Sequence, residues 1–275
     1  GDFVAPTYYV GHAVNDYAEG SVCASPNYST DGDWQNERDD GPYDSDDDAI
    51  QDAVDGASPG DTIYICPGTW NLSRVVEILK NLNVVGAGQR STILDGGGTN
   101  GIFNTWDFDL FVGYALNLSD LTLQHASSGD GAVYFQQNST ITRCTFQFNE
   151  SSNTGGAVNA SALLVVEDSL FLANQSRWSG GAIMSSTLEV RNTEFIDNSN
   201  VYSEDGNDDA SGGAISVTSD VVIEDSLFRG NRAESNTDSA GINWGFGGAV
   251  FQIVGRTTIK STDFFGNSAG SGGAV

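Results

Sequence analysis

Two short motifs recur in phase along the sequence from residue 131 onward. The motif Gly-Ala-Val/Ile begins at Gly131, Gly156, Gly181, Gly213, Gly248 and Gly273, with spacings of 25, 25, 32, 35 and 25 residues. The motif Phe-x-x-Asn follows it in five repeats and ends 17 to 19 residues after each motif glycine. Two motifs that keep their phase over five repeats predict a stack of similar structural units.

Further columns of alike residues appear when the repeats are aligned on the phenylalanine. A branched residue stands five positions earlier, at Ile141, Val166, Val190, Ile223 and Ile259. A small residue stands two positions earlier, at Cys144, Ser169, Thr193, Ser226 and Thr262. Short β-branched segments between Gly and Asn turns indicate strands. The three columns are therefore predicted to share one inward face.

A repeat of about 25 residues suits three short strands joined by turns. The predicted fold is all-β, a right-handed parallel β-helix (a solenoid) with a short N-terminal capping helix. Equivalent residues should stack, giving a ladder of Phe146, Phe171, Phe195, Phe228 and Phe264 and a ladder of Asn149, Asn174, Asn198, Asn231 and Asn267. The asparagines are expected in turns, in the left-handed conformation that this residue tolerates.

The capping helix is predicted over residues 46–57. Its acidic start, Asp46 to Asp48, favours the helix dipole, and Gly56 suits its end. Strands are predicted at Thr62–Ile65 and at three later segments, residues 82–85, 92–94 and 116–123. A helix over the first layer would cover the exposed edge that a repeat stack leaves.

Two resemblances add to this prediction. The stretch from Ala53 to Trp70, continued by residues 83–95, looks like the entry to pectate-lyase-like β-helices. The repeated Gly-Gly-Ala-(Ile/Val) and Phe-x-x-Asn tetrapeptides resemble those of the polymorphic outer membrane protein family. The resemblance spans roughly residues 46–275 and implies a surface-exposed adhesin carried on a β-helix.

The sequence divides into an acidic cap or loop region, 1–45, and the β-helix, 46–275. The chain stops at Val275, where a new repeat begins. We therefore expect the β-helix to continue beyond this point, or to be covered by another copy of the chain. Head-to-tail stacking of copies would produce a filament.

The three cysteines fall in different settings. Cys23 and Cys66 flank the predicted helix, and a disulfide between them would fix the cap and fit an oxidising, extracellular location. Cys144 stands in the small column, which predicts a buried, inert thiol.

The net charge of −26 excludes several partners. Nucleic acid and anionic membrane surfaces require a basic footprint, which this chain lacks. No apolar run approaches the ~20 residues of a membrane span. The excess acid indicates a solvated surface or cation binding; Asp31 and Asp33 have a spacing compatible with calcium, against the alternative of a solvated loop.

Signals for catalysis are sparse, so the chain is predicted not to be an enzyme. His12 and His125 lack ligand or triad spacing. The alternative is a polysaccharide lyase or glycosidase of the pectate-lyase-like fold. Glu167-Asp168 and Glu224-Asp225 share one repeat position and are expected to stack as outward acidic rows.

The loops between each Asn and the next Gly pair suggest a binding edge, because insertions on one face of a repeat stack often bind ligands. Carbohydrate or a cell-surface protein is the expected partner; the alternative is that the aromatic residues pack over the loops. The candidate residues are Trp178, Tyr202, Asp205, Asp208, Asp209 and Trp244. Candidate glycosylation sequons begin at Asn27, Asn71, Asn117, Asn138, Asn149, Asn159 and Asn174. The predicted function is adhesion, or a structural or filament role, at the cell surface.

Overall fold

The computed structural model describes residues 7–12, 23, 28–29, 46–202, 210–235 and 245–275. The predicted all-β class is confirmed in these ranges: short strands pair in parallel in three stacked sheets, with one α-helix. Each strand pairs with its counterpart in the next repeat, and one such set of strands is called a layer below. The predicted strand 116–123 is two strands, because Asp120 adopts a φ of 59° between them.

The first sheet has 15 strands in two rows. The longer row contains Tyr28–Ser29, Thr7–Gly11, Thr62–Ile65, Leu82–Gly86, Leu116–Ser119, Ser139–Thr142, Val158–Glu167, Ile183–Arg191, Val221–Glu224 and Thr257–Lys260. The second row contains Val76–Glu77, Phe103–Asn104, Val133–Phe135, Ile215–Val217 and Val250–Gln252, and the two longest strands join it to the first. Strand Thr7–Gly11 extends this sheet, so part of the predicted cap region is sheet.

Two further sheets and one hairpin complete the described strands. The second sheet contains Gly68–Asn71, Thr92–Asp95, Thr122–Gln124, Thr145–Gln147, Leu170–Leu172, Glu194–Ile196, Leu227–Arg229 and Asp263–Phe265. The third contains Ser127–Ser128, Glu150–Ser151, Gln175–Ser176, Ser199–Tyr202, Arg232–Ser235 and Ser268–Ala269. Strands Trp106–Asp107 and Val112–Gly113 form an antiparallel hairpin outside these sheets.

The core is a column of stacked side chains between the sheets. Successive rings from Phe146 to Phe264 lie 4.7 to 5.0 Å apart and within 10° of parallel. The first four of these five rings are fully buried. This spacing matches the distance between paired strands, so each phenylalanine packs on its equivalent in the next layer. The predicted inward face of phenylalanine, branched and small residues is observed.

The asparagine ladder is also observed, but its role in the turn differs from the prediction. Asn149, Asn174, Asn198 and Asn231 are at most 1% exposed and point inward. The left-handed residue is the one before each asparagine, for example Phe148 at φ 55° and Ala173 at φ 51°. The prediction that asparagine itself takes this conformation is wrong, because its amide is used for hydrogen bonds inside the stack.

The glycine pairs differ in function within each motif. The first glycine takes a positive φ, as Gly180 does at 64°. The second has no room for a side chain, because a Cβ on Gly181 would lie 2.0 Å from the carbonyl oxygen of Gly213. At this corner, neighbouring layers therefore contact each other through backbone atoms, with no room for a side chain between them.

The helix spans Asp46–Gly56, one residue shorter than predicted, and buries Ala49, Ile50, Ala53 and Val54. Its first turn is tied to the segment between strands Gly68–Asn71 and Val76–Glu77, since Asp47 Oδ1 accepts hydrogen bonds from the Ser73 amide (3.0 Å) and hydroxyl (3.0 Å). Cys23 and Cys66 are joined by a disulfide with a Cα–Cα distance of 5.8 Å. Among the described residues, no helix has the length and apolar character needed to cross a membrane.

Candidate ligand groove

A row of outward-facing polar side chains crosses the second row of the first sheet. Register pairs Glu77 with Asn104, Asn104 with Tyr134, and Tyr134 with Asn159. Outward and inward residues alternate along these strands, so Val76, Phe103 and Val133 of the same strands enter the core. The row therefore steps from layer to layer along the stack, at roughly 4.8 Å per step.

The hairpin Trp106–Gly113 forms one wall over this row. It leaves the sheet directly after Asn104, whose Oδ1 accepts a hydrogen bond from the Trp106 amide at 3.1 Å. The Trp106 ring contacts Phe108 and Phe111 edge-on, with ring centroids 6.2 and 6.3 Å away. The wall is thus an aromatic cluster positioned by the backbone of the neighbouring strand.

The turn 128–131 forms the opposite wall. Ser128 Oγ donates to the Gly131 carbonyl at 2.8 Å and accepts from the Asp130 amide at 3.1 Å, which fixes the turn. Asp130 Oδ1 in turn accepts a hydrogen bond from the Asn159 amide at 3.0 Å. This bond joins the wall to the polar row on the floor.

Floor and walls enclose an open cleft of about 480 Å³, called the flank groove below. Its lining residues are Val75, Glu77, Gly101, Phe103, Asn104, Trp106, Phe108, Ser128, Gly129, Asp130, Gly131, Tyr134, Asn159 and Ser161. Aromatic faces, amides, hydroxyls and two carboxylates line it together. Such a surface can stack on a flat apolar face while it hydrogen-bonds a ring of hydroxyl groups.

A second, shallower hollow of about 410 Å³ lies where the second and third sheets meet. His125 Nδ1 lies 3.0 Å from Asp95 Oδ2, and its ring stacks on Phe148 at 5.9 Å. Burial acts to raise the pKa of Asp95, but hydrogen bonds from Gln124, His125 and the Gly97 amide outweigh it and hold the pKa below its ordinary value. The imidazole of His125 is thus paired with the carboxylate of Asp95. Among the described residues, no Ser, Thr or Cys is hydrogen-bonded to this imidazole as a nucleophile would be.

The predicted acidic rows are instead mixed in charge. Register places Arg191 between Glu167 and Glu224, and Lys260 beyond Glu224. Arg191 lies 3.3 Å from Glu167 and 2.9 Å from Glu189, and Lys260 lies 2.8 Å from Glu224. The expectation of stacked like charges is wrong here, because the intervening layer supplies a cation.

The binding edge predicted from the loops is described in part. Trp178 is 49% exposed, and its amide donates to the Asn153 carbonyl at 2.8 Å. Strand Ser199–Tyr202 pairs with Gln175–Ser176 in the layer next to it. Asp205, Asp208, Asp209 and Trp244 lie outside the described residues, as do Asp31, Asp33 and Asn27, and only the backbone of Tyr202 is described.

Trp178 and the flank groove open on the same edge of the stack. The Ser152 amide donates to the Ser128 carbonyl, and the Arg177 amide donates to the Ser151 carbonyl. These bonds place the turn 128–131, the turn near Asn153 and Trp178 in three successive layers. Trp178 therefore lies two layers, or roughly 10 Å, along the stack from the groove wall.

Two sequons are incompatible with glycosylation of the folded chain. The side-chain amide nitrogens of Asn149 and Asn174 each donate two hydrogen bonds inside the stack. A glycan would replace one of the two hydrogens on that nitrogen, which removes at least one of these bonds, and the sugar has no room unless the side chain leaves the core. Asn71 and Asn138 are exposed, and Asn117 and Asn159 are partly buried.

Metal ligands are not clustered in the described part of the chain. No group of three or more His, Cys, Asp or Glu side chains in these ranges could hold a metal ion. This finding does not test the calcium prediction at Asp31 and Asp33, because both residues lie outside the described ranges.

Sequence patterns did not indicate the flank groove. Its hairpin interrupts the repeat once, before the regular motifs begin, so no column of alike residues marks it. The available signal was local: Phe108, Leu110, Phe111 and Val112 form a short apolar stretch that lies outside both repeat motifs.

Comparisons with known proteins give no family. No family model matches the sequence, and no curated protein matches it. ORF18 of Geobacillus virus E2 is similar in structure, at 13% identity and a TM-score of 0.34, over 93% of this chain and 61% of that one. The catalytic domain of Agl-KA is similar at 12% identity and a TM-score of 0.26, over 82% of this chain and 63% of that one. The chain spans less than two thirds of either structure, and these weak likenesses do not indicate a function for it.

Proposed function

We propose that this chain is a right-handed parallel β-helix, displayed outside the cell, that binds a neutral carbohydrate chain in the flank groove without chemically altering it. In this proposal residues 1–45 cap the first layer and residues 46–275 form the β-helix. The role is adhesion, as the repeat resemblance implies. The proposal is carried by one observation, the row Glu77–Asn104–Tyr134–Asn159 beneath an aromatic wall.

The solenoid part of the proposal is supported by the order of the strands along the chain. Each repeat visits the second row of the first sheet, then the longer row, the second sheet and the third sheet, and returns one layer further on. Parallel crossovers are right-handed in almost all proteins, which gives the proposed hand. The disulfide between Cys23 and Cys66 supports an extracellular location, because such bonds persist in oxidising compartments.

The chemistry of the groove supports a sugar over other ligands. Tyr134 donates its hydroxyl proton to Gln136 Oε1 at 2.7 Å, which fixes the ring on the floor of the groove. Trp106 offers an aromatic face at the wall, and Asn104 and Asn159 offer amides. Sugars present a flat C–H face and a rim of hydroxyls, which such a set can stack on and hydrogen-bond.

Charge decides between classes of carbohydrate. Glu77 and Asp130 both line the groove, and the whole chain carries −26. An acidic polysaccharide would meet like charges here, and this repulsion is strongest where water is excluded. A neutral glycan avoids that cost and uses the carboxylates as acceptors for its hydroxyl protons.

A glycan array followed by calorimetric titration tests the proposal. We expect neutral oligosaccharides to bind, and Trp106→Ala to weaken the best ligand about tenfold, since a stacked ring contributes roughly 1.5 kcal/mol. Trp178→Ala is the matched control, because it removes an exposed tryptophan outside the groove. Equal affinities for wild type and Trp106→Ala, with both proteins folded, would refute the groove as the site.

One observation favours a second candidate function, a glycosidase. Glu77 and Asp130 face the same cleft, and glycoside hydrolysis uses a pair of carboxyl groups across the scissile bond. Release of reducing ends from a bound oligosaccharide, lost in Glu77→Gln and in Asp130→Asn, would establish this activity. Binding without release in the wild type supports the non-catalytic proposal.

A further inference from the structure

The tip of the hairpin displays a cluster of large apolar side chains to solvent. Phe108, Leu110 and Phe111 are 70%, 67% and 77% exposed, and the adjacent Val112 is 43% exposed. These four residues are called the hairpin tip below. Adjacent exposed apolar side chains of this size are uncommon on proteins that act alone, and they mark interaction sites.

The hairpin holds the tip in a defined shape. Asp107 pairs with Val112 across the hairpin, and Asp107 Oδ1 accepts hydrogen bonds from the amides of Asp109 and Leu110, both at 2.9 Å. The base is closed by the Tyr114 amide, which donates to the Thr105 carbonyl at 3.0 Å. A tip that is already ordered loses little conformational entropy on binding, which favours association.

The charges around the tip select its partner. Asp107 and Asp109 lie within the hairpin, and Glu77 and Asp130 line the groove beside it. A second copy of the chain or an anionic lipid surface would bring like charges together, in a molecule that carries −26. A basic surface complements the tip, because it would pair with the aspartates as the rings become buried.

We propose that the hairpin tip docks into an apolar pocket rimmed by Lys and Arg on a partner protein. Leu110, Phe111 and Val112 fill the pocket, and Asp107 and Asp109 meet the basic rim, while Phe108 remains in the wall of the flank groove. The inference goes beyond carbohydrate binding and does not depend on it, since Leu110 and Phe111 do not line the flank groove. One face of the chain would then hold a glycan while the tip engages a protein.

Fluorescence anisotropy with a labelled amphipathic Leu/Lys helical peptide tests the docking surface on the full chain. A Leu/Glu peptide of the same length is the probe control. We expect the Leu/Lys peptide to bind, and Leu110→Ser/Val112→Ser to weaken it about tenfold or more, because apolar anchors dominate such interfaces and neither residue lines the flank groove. Ile253→Ser/Val254→Ser is the matched variant, since these two side chains are 57% and 62% exposed elsewhere.

Three results would overturn the inference. The first is equal peptide binding by the wild type and the tip variant, and the second is an equal loss in the two double variants. The third is co-sedimentation of the wild type, but not of the tip variant, with phosphatidylcholine vesicles, which would make the tip a lipid anchor. Thermal unfolding and glycan titration of each variant show that the fold and the groove are retained, so failure here is separable from failure of carbohydrate binding.

Discussion

The Asn174 side-chain amide donates to Asn198 Oδ1 at 2.9 Å, across two neighbouring layers. The same amide donates to the Phe146 carbonyl in the layer on the other side, at 3.0 Å. Asn198 Oδ1 also accepts from the Asn174 backbone amide at 3.0 Å. One asparagine thus joins three layers at a position without access to water, and every donor and acceptor of the link is used.

Removing this link should destabilise the whole stack. We expect Asn174→Ala to lower the free energy of unfolding by roughly 2–5 kcal/mol, because at least two buried groups lose their partner at about 1–3 kcal/mol each. Urea denaturation followed by circular dichroism measures the change. The exposed Asn71 provides the control, and Asn71→Ala should unfold within about 0.5 kcal/mol of the wild type. Equal effects of the two substitutions would mean that the ladder does not join the layers.

Gly181 sets how closely two layers approach. A Cβ at this position would overlap the backbone of Gly213 and Ser199, so Gly181→Ala should give little soluble folded protein or a Tm lowered by many degrees. Gly129→Ala is the control, since its nearest neighbour would be a side-chain nitrogen of Asn153 at 3.2 Å. A differential scanning fluorimetry trace for Gly181→Ala that matches that of Gly129→Ala would contradict the close approach.

Cys144 should be unreactive in the folded chain. Burial raises the pKa of its thiol to about 12, so the thiolate that reacts with alkylating agents is scarce near neutral pH. Intact-mass measurement after iodoacetamide treatment should show no adduct on the native protein, one adduct after unfolding, and three after unfolding with reduction of the Cys23–Cys66 disulfide. A rapid adduct at Cys144 in the native protein would contradict its burial.

The same thiol predicts an alkaline loss of stability. The folded pKa of Cys144 is raised above the unfolded value, so between about pH 9 and 12 the unfolded chain has released a proton that the folded chain retains. The free energy of unfolding should therefore fall as pH rises through this window. Cys144→Ser should reduce the slope of unfolding free energy against pH there, and an unchanged slope would contradict the assignment.

Arg191 relieves repulsion on the outer face of the first sheet. It contacts Glu167, Glu189 and Glu224, and all four side chains are partly exposed. We expect Arg191→Ala to cost only about 0.5–1 kcal/mol of unfolding free energy, and 1 M NaCl to remove most of that difference. Chemical denaturation at low and high salt measures it; a loss that salt leaves unchanged would point to packing instead of charge.

The repeated residues were predictable because stacking makes identical positions meet. Residues equivalent to Phe171 and Asn174 recur in five successive layers, so the sequence alone reveals their columns. The turn before each asparagine was not predictable in the same way, since Phe148, Ala173 and Asp197 share a backbone conformation and no side-chain property. Because the asparagine side chain is buried and hydrogen-bonded inside the stack, the residue before it takes the left-handed conformation.

The repeat pattern did not predict the flank groove or the hairpin tip. Tyr134 and Asn159 become neighbours only through strand register, and their column continues with Met184, which shares no chemistry with them. Trp178 was predicted as a binding residue because it is an aromatic residue in a loop. In the structure it lies two layers from the groove wall, on the same edge of the stack. A periodic pattern identifies what is common to the layers, whereas a binding site depends on what differs between them.

Hydrogen–deuterium exchange on the protein, alone and with the oligosaccharide that binds most strongly on the array, tests the central claim most directly. The account predicts slower exchange in peptides that cover residues 103–113, 128–134 and 158–161, with the segment around Trp178 changed less. Protection confined to the segment around Trp178, with the groove peptides unchanged, would contradict it and would place the ligand on the loop edge instead.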